Sequence, residues 1–246
     1  MERKISPWLA FVIGGVIFLI ARQAILIPEL IAGDTIQETY PWLKQVSLKT
    51  ALLLISFIGT LIVTRGSISR HGYCRPKNMN WWGSIWPGLL MGSLSTIIIV
   101  VTPAKGMGAM MSNSGSPGVV MLLLLYSSIS EEIHARGFIQ SIISHLSHKK
   151  VNLLLVKVSV PVFTSALFFG CMHLSIFFAG SDILTTIIVM LNTFALGLMA
   201  GYLFEKHESI IPAIIVHIAG NAGGVLTGII ANILSFIITG EFIMKP

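Results

Sequence analysis

Long apolar runs alternate with short polar breaks along the whole chain. Eight runs stand out, at residues 8–31, 47–64, 82–102, 118–146, 151–178, 183–204, 208–221 and 223–240. A helix needs about 20 apolar residues to cross a hydrocarbon core, and it leaves no backbone amide unpaired in lipid. The pattern therefore predicts an all-α, polytopic membrane helix bundle of about eight transmembrane helices. Asn221-Ala222-Gly223-Gly224 separates the last two runs and reads as a tight turn or helix break. The first run follows Met1-Glu2-Arg3-Lys4 as the core of a signal peptide would. It is long, however, and has no small-x-small site before Asp34, so it reads as a retained span. The expected organisation is one membrane domain: N-terminal spans in 1–117, a central core in 118–222, and a last span with a short tail in 223–246.

Composition sharpens this picture. Hydrophobic residues make up 54% of the 246 positions and charged residues 11%, against about 25% charged in soluble domains. So few charges cannot cover a water-facing surface, which excludes a soluble fold, and the composition equally excludes disorder and a disulfide scaffold. The net charge of +6 falls in clusters between the apolar runs, so it is read as topology and not as a nucleic-acid surface. With the N-terminus cytoplasmic, inside loops hold Arg3, Lys4, Arg65, Arg70, Arg75, Lys77, Lys149, Lys150, Lys206 and Lys245, whereas outside loops hold Lys44, Lys49 and Lys105. That bias predicts N- and C-termini both cytoplasmic and an even number of spans. The expected location is integral and multi-pass, in a bacterial plasma membrane, with lipid as the surrounding partner. Trp81, Trp82 and Trp86 open the third run as interfacial anchors. Residues 103–117, rich in Gly, Ser and Met, read as a mobile outer loop. Cys74 and Cys171 fall in a basic loop and an apolar run, a placement that does not suggest a disulfide.

The fourth run carries charge where lipid penalises it. It reads Ser127-Ser128-Ile129-Ser130-Glu131-Glu132-Ile133-His134-Ala135-Arg136. A charge at the centre of a span costs about 2.5–3.5 kcal/mol on insertion scales. Glu132 and Arg136 are four apart and share a helix face, so they can pair. Glu131 lies about 100° round the helix and is left without that partner. His173 sits alone in the fifth run. His217 and Asn221 share a face in the seventh, where Asn221 is either a functional side chain or a helix C-cap. One carboxylate, two histidines and an asparagine on three intramembrane helices form a kit for water attack on an amide. The carboxylate would act as general base, and the nitrogen groups would orient water or an oxyanion.

Three motifs in order, Glu131-Glu132-x-x-x-Arg136, Phe169-x-x-x-His173 and His217-x-x-x-Asn221, resemble the CPBP family. That family includes type II CAAX prenyl endopeptidases and bacterial bacteriocin-processing or immunity proteins. The approach to the third motif is similar too, with Gly197, Gly201 and Tyr202 before Glu205 to Pro212. The resemblance covers about residues 118–222. It implies an eight-helix intramembrane endopeptidase in which Glu131 activates water and His173 positions it. His217 and Asn221 would support the oxyanion or the water, and Glu132, Arg136 and Phe169 would shape the site. The implied substrate is a membrane-associated peptide or a lipidated protein: a CAAX-type tail, a bacteriocin leader or a pheromone precursor.

Glu131, His173 and His217 are also the candidate ligands if zinc takes part, with an open fourth position. No His-Glu-x-x-His helix is present. Glu131-x-x-His134 has no second Glu-x-x-His to complete a di-iron site, and the expectation is a metal-free mechanism. His134 is expected to face a neighbour or a polar cavity. The alternative function is a non-catalytic immunity or scaffold protein that binds a peptide or protein. A transporter lacks the expected inverted repeat. Depth poses one conflict. Glu131 lies about 20 Å below the outer start of its run and His173 only about 8 Å below the outer end of its own, so straight spans with these limits would keep them apart. A kink at Pro161 is one way to bring them together.

Overall fold

The computed structural model describes residues 5–31, 39–102, 117–153 and 156–241. The expected outer loop at 103–117 lies outside them except for Pro117, as do Arg3, Lys4, Lys105 and Lys245. Seven helices among the described residues are long and apolar enough to cross a membrane. α1 is Pro7–Arg22, continued by a 3-10 turn at Gln23–Leu26. α2 is Leu43–Val63, and α3 is Trp82–Val101. α4 is Pro117–Glu132, continued as a π-helix through Ile133–Gln140. α5 is Val160–Met172 with a 3-10 extension at His173–Ala179. α6 is Ile183–His207 and α7 is Ile210–Thr239. A short hairpin, β1 (Lys150–Asn152) with β2 (Lys157–Ser159), links α4 to α5. The protein is an all-α polytopic membrane bundle, with large apolar side chains such as Ile62, Leu90, Leu122, Leu191 and Ile237 exposed on its outside.

Two boundaries depart from the hydropathy pattern. The seventh and eighth runs are one helix, α7, which passes through Asn221-Ala222-Gly223-Gly224 and across position 222 without a break. The glycines there serve packing. A Cβ on Gly92 would collide with the Gly220 carbonyl, and one on Gly223 with the Leu89 carbonyl. Ser93 donates to the Gly223 carbonyl at 3.3 Å and Thr96 to that of Gly224 at 3.2 Å. In lipid, helices associate through small residues that let their backbones approach, and α3 with α7 follows that rule.

The second departure is the start of the fifth span. It begins at Val160, not at 151, because Ser159 caps the helix by accepting from Val162 N at 3.2 Å, and Pro161 occupies its first turn. Pro161 therefore starts a helix and does not kink one. The fourth span likewise ends at Gln140 and not at 146.

Seven spans are counted among the described residues against about eight expected, and seven single crossings would put residues 5 and 241 on opposite faces. The loop bias survives the change. Lys157 joins Lys149 and Lys150 in the inside α4–α5 connection. The inside loop 64–81 is tied to the α6–α7 turn. Ser209 donates to the Cys74 carbonyl at 2.6 Å, and His207 Nδ1 to that of Lys77 at 3.1 Å. The exposed Lys77–Glu208 pair, 2.8 Å apart, holds the Glu208 carboxyl below its ordinary range.

Candidate active site

The centre of the bundle is polar. Glu132, His134 and Arg136 are fully buried, and Glu131 is 6% exposed. Arg136 meets Glu132 through Nη1 to Oε1 and through Nε to Oε2, each at 3.2 Å. Its Nη2 donates to the Gly197 carbonyl at 2.8 Å, and its guanidinium lies 4.9 Å from the Phe169 ring centroid. One turn on, Gln140 donates to the Gly201 carbonyl at 3.0 Å and accepts from Ser165, also at 3.0 Å. The two glycines on α6 leave room for these side chains: a Cβ would lie 3.2 Å from Arg136 Nη2 at Gly197 and 2.9 Å from Gln140 Oε1 at Gly201. The π-helix carries these residues, and such segments recur at functional sites.

α7 meets α4 antiparallel. His217 Nδ1 lies 2.9 Å from Glu132 Oε1, and Asn221 Nδ2 donates to Ser128 Oγ at 2.9 Å. Positions four apart on one helix thus contact positions four apart on the other, as the shared face of His217 and Asn221 requires. Asn221 stands in the middle of α7 and caps no helix end. It borders a small apolar fissure lined by Met121, Leu124, Leu125, Ile218 and Ala222. His217 Nε2 lies 3.8 Å from Glu131 Oε2, so this ring spans both carboxylates. With Nδ1–H donated to Glu132, Nε2 is the ring nitrogen turned toward Glu131.

The same logic fixes His173. Its Nδ1 lies 2.8 Å from the Phe169 carbonyl, so Nδ1 donates there and Nε2 is the nitrogen left to the site. The Phe169 ring touches both histidines edge-on, at 5.1 Å to His173 and 5.3 Å to His217. The depth conflict shrinks once the spans are redrawn. Measured from the inner ends at Gln140 and Val160, Glu131 and His173 differ by about 6 Å, half the earlier mismatch of about 12 Å.

One expectation is overturned. Glu131 does not lack a charge partner, because Lys49 on α2 forms an ion pair with its Oε1. Loop counting had assigned Lys49 to an outside loop. Its position two residues into an apolar run was the signal that it required an anion. His134 belongs to packing: its Nδ1 meets Ser56 Oγ at 2.8 Å, and its ring stacks on Phe138 at 6.4 Å.

Lys49 takes Oε1 of Glu131 and Nδ1 of each histidine is committed, so the atoms left to a metal are Glu131 Oε2 and the two Nε2 nitrogens. Among the described residues no three His, Cys, Asp or Glu side chains are grouped to hold a metal.

Comparison with known proteins gives one match. Residues 113–223 match the family model described as type II CAAX prenyl endopeptidase, Rce1-like. No curated protein and no solved structure matches the chain.

Proposed function

We propose, from the match of residues 113–223 to the family model described as type II CAAX prenyl endopeptidase, Rce1-like, that the chain hydrolyses a peptide bond of a membrane-associated substrate by glutamate-activated water attack. The observation that carries the reading is His217, set between two carboxylates with Nε2 3.8 Å from Glu131 Oε2. A water about 2.8 Å from each atom donates one hydrogen to the imidazole and one to the carboxylate. Glu131 takes the second proton as the water oxygen bonds to the scissile carbonyl carbon. The second N–H of Asn221 donates to the resulting oxyanion. Glu131 then returns its proton to the amide nitrogen, the C–N bond breaks, and the new carboxylic acid passes its proton to the departing amine, so that a carboxylate and an ammonium leave. Glu132 keeps His217 in the productive tautomer, and Arg136 neutralises Glu132. His173, beside Glu131, is assigned to lining the water's position. The chain's own residues supply every part of this scheme, and it includes no metal.

The substrate in this proposal is a lipidated C-terminal tail. What supports it is the family and the apolar fissure beside Asn221. The test uses purified protein in lipid nanodiscs with a quenched peptide that ends in a prenylated Cys-aliphatic-aliphatic-X sequence. Cleavage by wild type and none by Glu131→Gln is expected. Cleavage by both would remove Glu131 from the chemistry. Cleavage of an unlipidated leader peptide in preference would transfer the proposal to bacterial peptide precursors.

A further inference from the structure

α2 lies parallel to α4 and is joined to it by a ladder of polar contacts. Thr50 Oγ1 meets Tyr126 Oη at 2.8 Å, Ser56 Oγ meets His134 Nδ1 at 2.8 Å, and Thr60 Oγ1 donates to the Gly137 carbonyl at 3.2 Å. These partners are 76 to 78 positions apart in sequence. Lys49 breaks the register, since its partner Glu131 is 82 positions away. The difference is about five residues, or about 7 Å along the helix. That is about the length of a lysine side chain, so Lys49 extends along α4 toward the inner face to place its ammonium on Glu131.

We infer that Lys49 is a positioning residue for the hydrolysis, holding the Glu131 carboxylate through Oε1 and so fixing Oε2 as the oxygen that receives the proton. This inference rests on the function proposed above. The two side chains are 12% and 8% exposed, and a carboxylate so removed from water keeps its charge only against a cation. The other titratable or charged groups near Glu131 are His217 on α7, His173 after α5, and Glu132, His134 and Arg136 on its own helix. Arg136 is committed to Glu132, Lys49 is the cation in direct contact with Glu131, and His217 Nε2 stands further off, 3.8 Å from Oε2. Because Lys49 takes Oε1, Oε2 is the oxygen left facing His217 Nε2.

The test reads Glu131 directly, with no substrate. Infrared difference spectra compare Lys49→Met with Lys49→Met/Glu131→Gln in nanodiscs. The expected result is a carboxylic-acid C=O band in K49M that the second substitution removes, whereas wild type and Lys49→Arg show Glu131 as carboxylate. A carboxylate signal from Glu131 in K49M would overturn the inference. The double variant, with no buried charge on either side, controls for folding. On the prenylated peptide, K49M is expected to lose about 100-fold in kcat, the scale of a displaced general base, with KM changed little, and K49R to retain most of kcat. A K49R enzyme as slow as K49M would also overturn it. If wild type cuts no peptide, the proposed function fails, and the infrared comparison still decides whether Lys49 controls Glu131.

Discussion

Arg136→Met removes the guanidinium that neutralises Glu132 at zero exposure. Three hydrogen-bonded or ionic contacts and one ring contact disappear together. Breaking one side of a buried ion pair costs about 3–5 kcal/mol, because the remaining charge is stranded. At 1.36 kcal/mol per decade this is roughly 150- to 5,000-fold in the folding equilibrium constant. Glu132→Leu alone strands Arg136 and costs a similar amount. The double variant strands neither charge. It loses only the hydrogen bond that holds His217 Nδ1, worth about 1–3 kcal/mol when a buried group is left unmatched. Equilibrium unfolding in mixed micelles at increasing SDS fraction measures all four species. The expected outcome is a double variant well above the sum of the two singles, with a coupling energy of at least about 3 kcal/mol, yet inactive because His217 is no longer tethered. Additive losses would refute the assignment of Arg136 to Glu132. Arg136→Lys, which keeps charge without the planar fork, is expected between wild type and R136M.

Further outcomes follow from the same geometry. Gly92→Ala drives a methyl into the Gly220 carbonyl and is expected to destabilise the α3–α7 contact by about 1–3 kcal/mol, measured by the same unfolding assay; wild-type stability would refute the close packing. Asn221→Ala should leave the fold in place and lower kcat by about 100-fold or more, the scale of one lost oxyanion donor, while an unchanged kcat would remove Asn221 from the mechanism. A tag after residue 246 is expected to be cleaved by an impermeant protease added outside intact spheroplasts. Protection of that tag, with a tag before residue 1 also protected, would restore an even number of crossings.

Much of the fold was legible because lipid imposes a length on every span. Where the pattern failed, another local rule was stronger. Gly223 and Gly224 read as a turn because glycine favours turns in water, whereas in lipid the same residues form the surface on which α3 lies. Residues 151–159 are apolar enough to read as span, but a serine cap and a proline in the first turn set the helix start at Val160. At the site, the grouping of Glu131, His173, His217 and Asn221 followed from charges and dipoles that lipid does not tolerate alone. Helical spacing gave the Glu132–Arg136 pair and separated it from Glu131. Lys49 escaped this reading because it was weighed as a topology signal and not as a buried charge requiring a partner. Ser128 escaped because a hydroxyl in a span can bond to its own helix, as Ser128 does to the Leu124 carbonyl at 2.8 Å.

The central claim is that Glu131 cuts peptide bonds through water. Comparative peptidomics of membrane and medium tests it, using cells that carry wild type or Glu131→Gln at matched levels. The account predicts a peptide or a new C-terminus present with wild type and absent with E131Q. Identical peptidomes, together with a phenotype shared by both forms, would contradict it and identify the chain as a membrane protein that acts by binding.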